Sequence, residues 1–257
     1  MGAVESAFIL TQILQTIAVA LVAFLYSAVG HGGATGYIAV LSLFGVKHEA
    51  IASSTLVVNC VVAGLALLAY VRAGQYSHKT VLPYLVLSVP CAFIGALLPV
   101  DKQVFNVMLC VLLPLAGLRF LFWPELKGQK DDDVKRPPLT LAAAIGAVLG
   151  LIAGIVGIGG GVFLSPIMIA ARFATTKETA AASALFILAN SLSGIAGRLV
   201  DGKLVIHGPQ FFPFLAAAIL GALCGSHLGA GHFSSTLLKR LLGVVLIIAA
   251  LKLINAS

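Results

Sequence analysis

The chain has 257 residues, of which 60% are hydrophobic and only 10% are charged, and its mean hydropathy is +1.08. A soluble domain carries about 25% charged residues, because they cover its surface. This composition excludes a soluble globular protein and predicts a chain that is solvated by lipid. The formal net charge of +7 does not indicate a nucleic-acid partner, because the charges lie in loops and form no nucleic-acid motif.

Ten apolar segments follow one another along the chain. Most of them approach the roughly 20 residues that a helix needs to cross a hydrocarbon core ~30 Å thick. The sequence therefore predicts an all-α polytopic membrane protein with about ten transmembrane segments. In chain order they are Ser6–Val29, Ala34–Phe44, Ala50–Val71, Val81–Leu98, Val104–Trp123, Leu139–Val156, Val162–Ala171, Ala180–Val200, Phe211–Ala230 and Leu237–Asn255.

Two of these segments, Ala34–Phe44 and Val162–Ala171, are conspicuously short, and each follows a glycine-rich break. At a rise of ~1.5 Å per residue, each covers only about half the bilayer. We interpret them as half-helices. A broken backbone is tolerated at membrane depth only where protein or a water-filled cavity surrounds it.

The two halves of the chain resemble each other in order. The glycine-rich breaks begin at Val29 and Val156, and eight further identities recur at an offset of 130 residues. These observations predict an internal duplication, with a first repeat at 1–123, a polar linker at 124–138 and a second repeat at 139–257. The eight pairs are Lys47/Lys177, Ala50/Ala180, Ala52/Ala182, Ser53/Ser183, Gly64/Gly194, Pro83/Pro213, Gly95/Gly225 and Leu98/Leu228.

The distribution of Lys and Arg predicts the orientation. If all ten segments cross, alternate loops place eleven basic residues on the side of the linker and five on the other side. Basic residues favour the cytoplasmic side, so the linker is predicted to be cytoplasmic and the termini to face outside. Five crossings in each repeat make the repeats inverted. If each short helix instead merges with its predecessor into one broken span, there are eight crossings and the repeats are parallel.

The start of each half-helix is the predicted binding site. Its first N–H groups lack partners within the helix, and the helix dipole places roughly half a positive charge there. Glycine lets an oxyanion approach the backbone closely. Breaks that recur in both halves of a transporter point to its binding site, although close helix packing is the alternative explanation for such glycine motifs. The predicted substrate-binding residues are Gly30, His31, Gly32, Gly33, Ala34, Thr35, Ser53, Asn59, Gly157, Gly159, Gly160, Gly161, Ser183 and Asn190.

His31 has no counterpart in the second half, where Ile158 occupies the matching position. An imidazole titrates near neutral pH, and ionisable residues at membrane depth are candidates for function. His31 is therefore a candidate for proton coupling, and a neutral histidine bonded to a carbonyl is the alternative. Arg72 and Arg198 end long polar helices and are predicted to anchor them at the membrane interface.

No motif predicts an enzyme, a metal site or a cofactor. The four cysteines lie within apolar segments and at no spacing typical of metal ligands, so we interpret them as packing residues. The sequence contains neither HExxH nor GxSxG, and no lysine follows the glycines as it does in a nucleotide-binding loop. We therefore predict no catalytic residue and no cofactor.

The chain resembles the TauE/SafE sulfite exporter family, also called the toluene sulfonate uptake permease family. The resemblance lies in GIVGIGGGVFLSPIMI (Gly154–Ile169) and KETAAASALFILANSLSG (Lys177–Gly194), with a weaker copy in VGHGGATGYIAVLSLFGV (Val29–Val46) and KHEAIASSTLVVN (Lys47–Asn59). It implies a secondary carrier of sulfite, sulfonates or related small anions in a prokaryotic inner membrane. In the first copy, His31 and Ala34 interrupt the glycines, and no proline matches Pro166.

The sequence thus predicts a secondary transporter of a small oxyanion, sulfur-containing, that alternates access around the two glycine-rich loops. Its expected partners are a small anionic solute and the lipid bilayer, with no nucleic acid, and self-association into a homo-oligomer is left open. An anion channel is the alternative, since dipoles at two helix ends could also line a pore.

The role of His31 can be tested directly. Replacing it by alanine (His31→Ala) removes the titratable group, so we expect the pH dependence of anion flux into proteoliposomes to flatten. A pH profile equal to that of the wild type would remove His31 from the coupling mechanism.

Overall fold

A computed structural model describes residues 2–28, 33–122, 134–206, 211–229 and 235–256. The predicted all-α class is confirmed, since these residues form ten helices joined by short connections. The helices are α1 (Gly2–Ala28), α2 (Ala34–Leu43), α3 (His48–Arg72), α4 (His78–Leu97), α5 (Lys102–Phe122), α6 (Leu139–Val156), α7 (Gly161–Ala170), α8 (Thr176–Val200), α9 (Phe211–Gly229) and α10 (Ser235–Ala256). The predicted linker lies largely outside the described residues.

Several helices are suited to a bilayer. Within the described part of the chain, six helical segments are long and apolar enough to cross it. Large apolar side chains, among them Leu10, Val107 and Leu220, are exposed on the outer faces of the helices. Lipid can cover such faces, so the chain is a multi-pass membrane protein. The six segments are Ile9–Ser27, Glu49–Arg72, His78–Leu97, Lys102–Phe122, Leu139–Val156 and Lys177–Val200.

Glycines bring pairs of helices into backbone contact. One face of α6 carries three glycines spaced four residues apart, and each lies against a carbonyl oxygen of α4. Helix association in lipid depends on such close packing, because lipid tails are as apolar as the helices themselves. The glycines and the residues whose carbonyls they face are Gly146 and Tyr84, Gly150 and Ser88, and Gly154 and Ala92.

Glycines also bring α9 into backbone contact with α1. Gly221 and Gly225 of α9 lie against the backbone of Ala20 and Phe24 in α1. The other main contacts join α3 to α8, α4 to α8 and α5 to α10, and the short helices α2 and α7 pack against α3 and α8, respectively. Helices from the two halves are therefore packed against each other throughout the molecule.

The short helix α7 runs back alongside α6. The position of a Cβ on Gly160 would lie 3.2 Å from the carbonyl oxygen of Leu149, in the middle of α6. At the other end of α7, the backbone N–H of Lys135 donates to the carbonyl of Arg172 at 2.8 Å. Because Lys135 precedes α6 and Arg172 follows α7, both helices reach the same end of the molecule. The chain therefore forms a hairpin here, with α7 running in the opposite direction to α6.

The importance of the backbone contacts can be measured with a matched pair of substitutions. Gly150→Ala should lower the stability of the purified protein, because the added methyl group would overlap the Ser88 carbonyl and force α4 and α6 apart. Gly64→Ala is the control, because the added Cβ would enter open space. The substitution also replaces a flexible residue within α3. It should leave stability unchanged or raise it by about 0.5–1 kcal/mol. Thermal unfolding in detergent compares the two, and equal melting temperatures would contradict the packing account.

Candidate functional site

The connection between α6 and α7 requires glycine. Gly157, Gly159 and Gly160 have φ angles of 85°, 68° and 75°. Side chains with a Cβ rarely adopt this left-handed region, whereas glycine enters it freely. The three residues turn the chain sharply after Val156, so that α7 can begin at Gly161.

This glycine loop, residues 157–160, lies between α3 and α8. A Cβ on Gly157 would meet the backbone of Ala52 in α3, and one on Gly159 would meet Ile187 and the hydroxyl of Ser191 in α8. All four residues of the loop are buried. The protein therefore surrounds the interrupted backbone, as a break at membrane depth requires.

The N-terminus of α7 points its positive end into this buried region. Its N-cap residue, Gly160, has no side chain with which to cap the helix. The N–H groups of Phe163 and Leu164 donate to the carbonyl of Gly160, at 3.1 and 3.2 Å. The helix thus begins without the polar side chain that often satisfies its first amides.

Buried polar groups without partners occur on α3 and α8. Such groups are rare in folded proteins, and each costs about 1–3 kcal/mol when it is left unsatisfied. Where such groups lie close to an uncapped helix, they are suited to hold a polar guest. The atoms are Thr55 Oγ1 and Asn59 Oδ1 on α3, and Ser183 Oγ, Asn190 Nδ2 and Ser191 Oγ on α8.

The structure brings some of the predicted site residues together. Asn59 Nδ2 points at the carbonyl of Gly157 from 3.5 Å, a distance at the outer limit for a hydrogen bond. The carbonyl of Ser183 lies beside Gly161, where the position of a Cβ would be 2.8 Å away. Asn59 and Ser183 therefore flank the glycine loop from its two sides.

Other predicted residues have different partners. The hydroxyl of Ser53 accepts a hydrogen bond from the backbone of Val205 at 3.3 Å, which ties α3 to the segment after α8. Asn190 Oδ1 accepts from the hydroxyl of Ser88 at 2.8 Å, so Asn190 lies at the contact between α8 and α4. Neither bond involves the glycine loop.

Ser191 is a site residue that the sequence analysis missed. It is completely buried, and its hydroxyl would lie 3.2 Å from a Cβ on Gly159. It follows Asn190 directly, and a one-residue step turns a helix by about 100°. Only the rotation of α8 against the loop distinguishes the two positions, and the sequence shows no sign of that rotation.

The first glycine-rich break is described only from Gly33 onward. Gly33 has a φ of 78° and precedes α2, and the ring of Tyr37 folds back over it. The hydroxyls of Tyr26 and Thr35 are hydrogen-bonded to each other, which joins α1 to α2, and Ala34 is buried beside them. The predicted site residues Gly30, His31 and Gly32 lie outside the described residues.

Arg198 faces the interior of the protein, whereas the sequence analysis predicted that it extends to the membrane interface. Its side chain is only 7% exposed. Its Nη2 donates to the carbonyls of Gly154 and Ile155, at 3.1 and 2.9 Å. These carbonyls belong to the last turn of α6, where backbone carbonyls have no N–H partner within the helix. Arg198 therefore holds the end of α6 just before the glycine loop.

A cavity of about 370 Å³ lies next to this end of α6. It is bounded by the start of α3, the connection between α4 and α5, and the ends of α6 and α8. Ala52, which packs against Gly157, and Ile155 both line it. Two residues that adjoin the glycine loop, Ala52 and Ile155, therefore form part of the cavity wall.

Comparison with known proteins identifies the family to which the chain is similar. The model of the family described as sulfite exporter TauE/SafE matches residues 16–253. The chain is similar to the probable membrane transporter protein y4hK of Sinorhizobium fredii, with 31% identity over 93% of this chain and 96% of the relative. It is also similar to the probable membrane transporter protein YunE of Bacillus subtilis, with 26% identity over 80% of each chain. No solved structure matches the chain.

The unpaired state of Ser191 can be tested by stability measurements. Ser191→Ala removes a buried hydroxyl that has no partner, so we expect the melting temperature to remain the same or to rise. Ser193→Ala is the matched control, because this hydroxyl donates to the carbonyl of Val89 at 2.6 Å. Its loss should cost about 1 kcal/mol. A clear loss of stability in Ser191→Ala would show that the hydroxyl has a structural partner.

Proposed function

The chain belongs to the TauE/SafE sulfite exporter family of membrane transporters, and we propose that it is a secondary carrier of a small, sulfur-containing oxyanion. In this proposal, access alternates around the two glycine-rich loops. The observation that carries it is the uncapped N-terminus of α7, which lies close to buried and unpaired polar groups of α3 and α8.

The chemistry of this site suits an oxyanion. The start of a helix offers N–H donors and a partial positive charge, and the hydroxyls of Ser183 and Ser191 can add donors. Both side chains are more than nine-tenths buried, so water competes little for them. Because these groups are neutral, they can hold an anion and release it again, whereas a buried ion pair is costly to break.

The main contacts between the helices support an internal repeat. The helices α1 to α5 correspond in order to α6 to α10. Under this correspondence, the contact between α1 and α9 matches the contact between α6 and α4. The contacts of α3 with α8 and of α5 with α10 map onto themselves. The hairpin of α6 and α7 favours five segments in each repeat, and an odd number of segments inverts the second repeat. Many carriers place their substrate at the interface of such repeats.

The closed state of the glycine loop supports a carrier over a channel. The side chains of Phe186 and Ile187 pack against Gly160 and Gly161, and the whole loop is buried. A carrier must close over its substrate at one stage of its cycle, whereas an open pore requires a continuous path. Movement of α7 against α8 would open this site in our proposal.

The nature of the anion and the location of the protein are drawn from the family. The family description names sulfite, while the two relatives are described only as probable membrane transporters. We propose sulfite or a related sulfur oxyanion as the substrate, and a prokaryotic inner membrane with a cytoplasmic linker as the location. No step of the proposed mechanism uses ATP or a cofactor.

Counterflow distinguishes the carrier from a channel. Proteoliposomes loaded with unlabelled sulfite should take up labelled sulfite faster than empty ones. The reason is that a carrier that returns with bound sulfite reorients faster than an empty carrier. Liposomes without protein give the background. If unlabelled sulfite inside does not accelerate entry while flux is present, the protein is a pore.

The contribution of the site is measured with the two serine variants. Ser191→Ala should reduce sulfite flux by about tenfold, which corresponds to one lost hydrogen bond to a charged group. Ser193→Ala should keep wild-type flux per folded protein, since its hydroxyl bonds to α4. A bulky residue at Gly160 is less informative, because its φ of 75° and the contact with Phe186 would strain the fold. Equal flux in both serine variants would exclude Ser191 from the site.

A further inference from the structure

The cavity beside α6 is lined by the buried guanidinium of Arg198, by three other charged residues and by apolar side chains. Arg198 lines it, and Leu98, Val100, Phe105 and Ile155 form much of the remaining surface. Its volume of about 370 Å³ is within the usual range of small-molecule sites. Such a surface is suited to a molecule that is charged at one end and apolar at the other.

Arg198 has unused hydrogen-bonding capacity. A guanidinium carries five N–H donors. Both bonds of Arg198 to the end of α6 use Nη2, and Nε is buried without a partner. Nη1 likewise has no hydrogen bond within the described part of the chain. The guanidinium therefore keeps donor capacity at Nη1 for a guest that accepts hydrogen bonds.

The other charged residues of the cavity have different roles. Lys203 forms an ion pair with Asp201. Asp101 Oδ1 accepts a hydrogen bond from the N–H of Val104 at 2.8 Å, at the start of α5. Glu49 also lines the cavity, and its carboxylate opposes an anionic guest. Arg198 is therefore the cation that remains for the head group of a guest, which would compete with the electrostatic interaction between Arg198 and Glu49.

We propose that this cavity is a second binding site, in which Arg198 receives the head group of an organic oxyanion. The head group is a carboxylate or a sulfonate, and the small apolar body lies against Leu98, Val100 and Phe105. Charge-assisted hydrogen bonds to a guanidinium are strong and directional, so the head group would fix the orientation of the guest. The inference rests on the proposed function and deepens it, because Ala52 and Ile155 adjoin the glycine loop and also line the cavity, which would be a waypoint for the carried anion.

Protection of an introduced thiol tests the site. Val100→Cys is made in a chain whose free cysteines, Cys60, Cys91, Cys110 and Cys224, are replaced by alanine. The rate of labelling by a charged maleimide is measured with ethanesulfonate, with sulfite and with the uncharged methyl ethyl sulfone. We expect ethanesulfonate to slow labelling at least fivefold. Sulfite should need a higher concentration, because it lacks the apolar body, and the sulfone should have no effect.

Variants assign the protection to Arg198. Arg198→Lys keeps the positive charge but loses the forked donors of the guanidinium. The concentration of ethanesulfonate that halves the labelling rate should therefore rise about tenfold. Ser193→Ala should leave the protection unchanged, because the hydroxyl of Ser193 bonds to α4 and Ser193 does not line the cavity. If ethanesulfonate does not protect, if the sulfone protects equally, or if Arg198→Lys has no effect, the proposal is wrong.

A second pair of variants covers the case in which Arg198→Lys does not fold. With the reporter thiol moved to Leu98→Cys, Val100→Trp fills the cavity and leaves the bonds of Arg198 in place. Protection by ethanesulfonate should be lost in Val100→Trp. It should be kept in Leu199→Trp, because Leu199 is exposed away from the cavity. Equal protection in both would overturn the site. Protection without sulfite flux would contradict only the proposed carrier function, and flux without protection would contradict only this second site.

Discussion

The whole structure depends on one constraint: a backbone interrupted within a bilayer must be enclosed by protein. The chain turns back between α6 and α7, and the residues of this turn are buried, away from water. The long helices α3 and α8 enclose the turn, at Ala52 on one side and at Ile187 and Ser191 on the other. The same enclosure creates a buried polar region, because α3 and α8 carry the hydroxyl and amide groups that face inward.

Close packing makes this enclosure possible. Where α6 meets α4, glycines remove the side chains that would hold the two backbones apart, and α9 meets α1 in the same way. Apolar burial does not drive association in lipid, so contact area and fit must do so. Arg198 adds a polar fastening, since it joins α8 to the last carbonyls of α6. The end of α6, the glycine loop and the adjoining cavity are thereby held as one region.

Hydropathy located the helices well but their ends less well. The predicted segment Leu139–Val156 coincides with α6, whereas α1 begins at Gly2 and not at Ser6. A helix can continue beyond its apolar residues where its polar residues reach water or lipid head groups, so hydropathy places the end of the helix too early. Within the site, the glycines were identified because their spacing is unusual. Ser191 and the inward position of Arg198 were not, because a single serine or a terminal arginine looks the same in sequence whichever way its helix is turned.

The amino-acid sequence alone determined the membrane class, the order of the apolar segments and the break before α7, because apolar length and clustered glycines act locally along the chain. The boundaries of the two repeats stay a prediction. Only the tertiary structure decided that α7 returns along α6, because the direction of a turn depends on the φ angles at Gly157, Gly159 and Gly160. It also decided which polar groups meet the glycine loop, since that depends on how α3 and α8 are rotated when they pack.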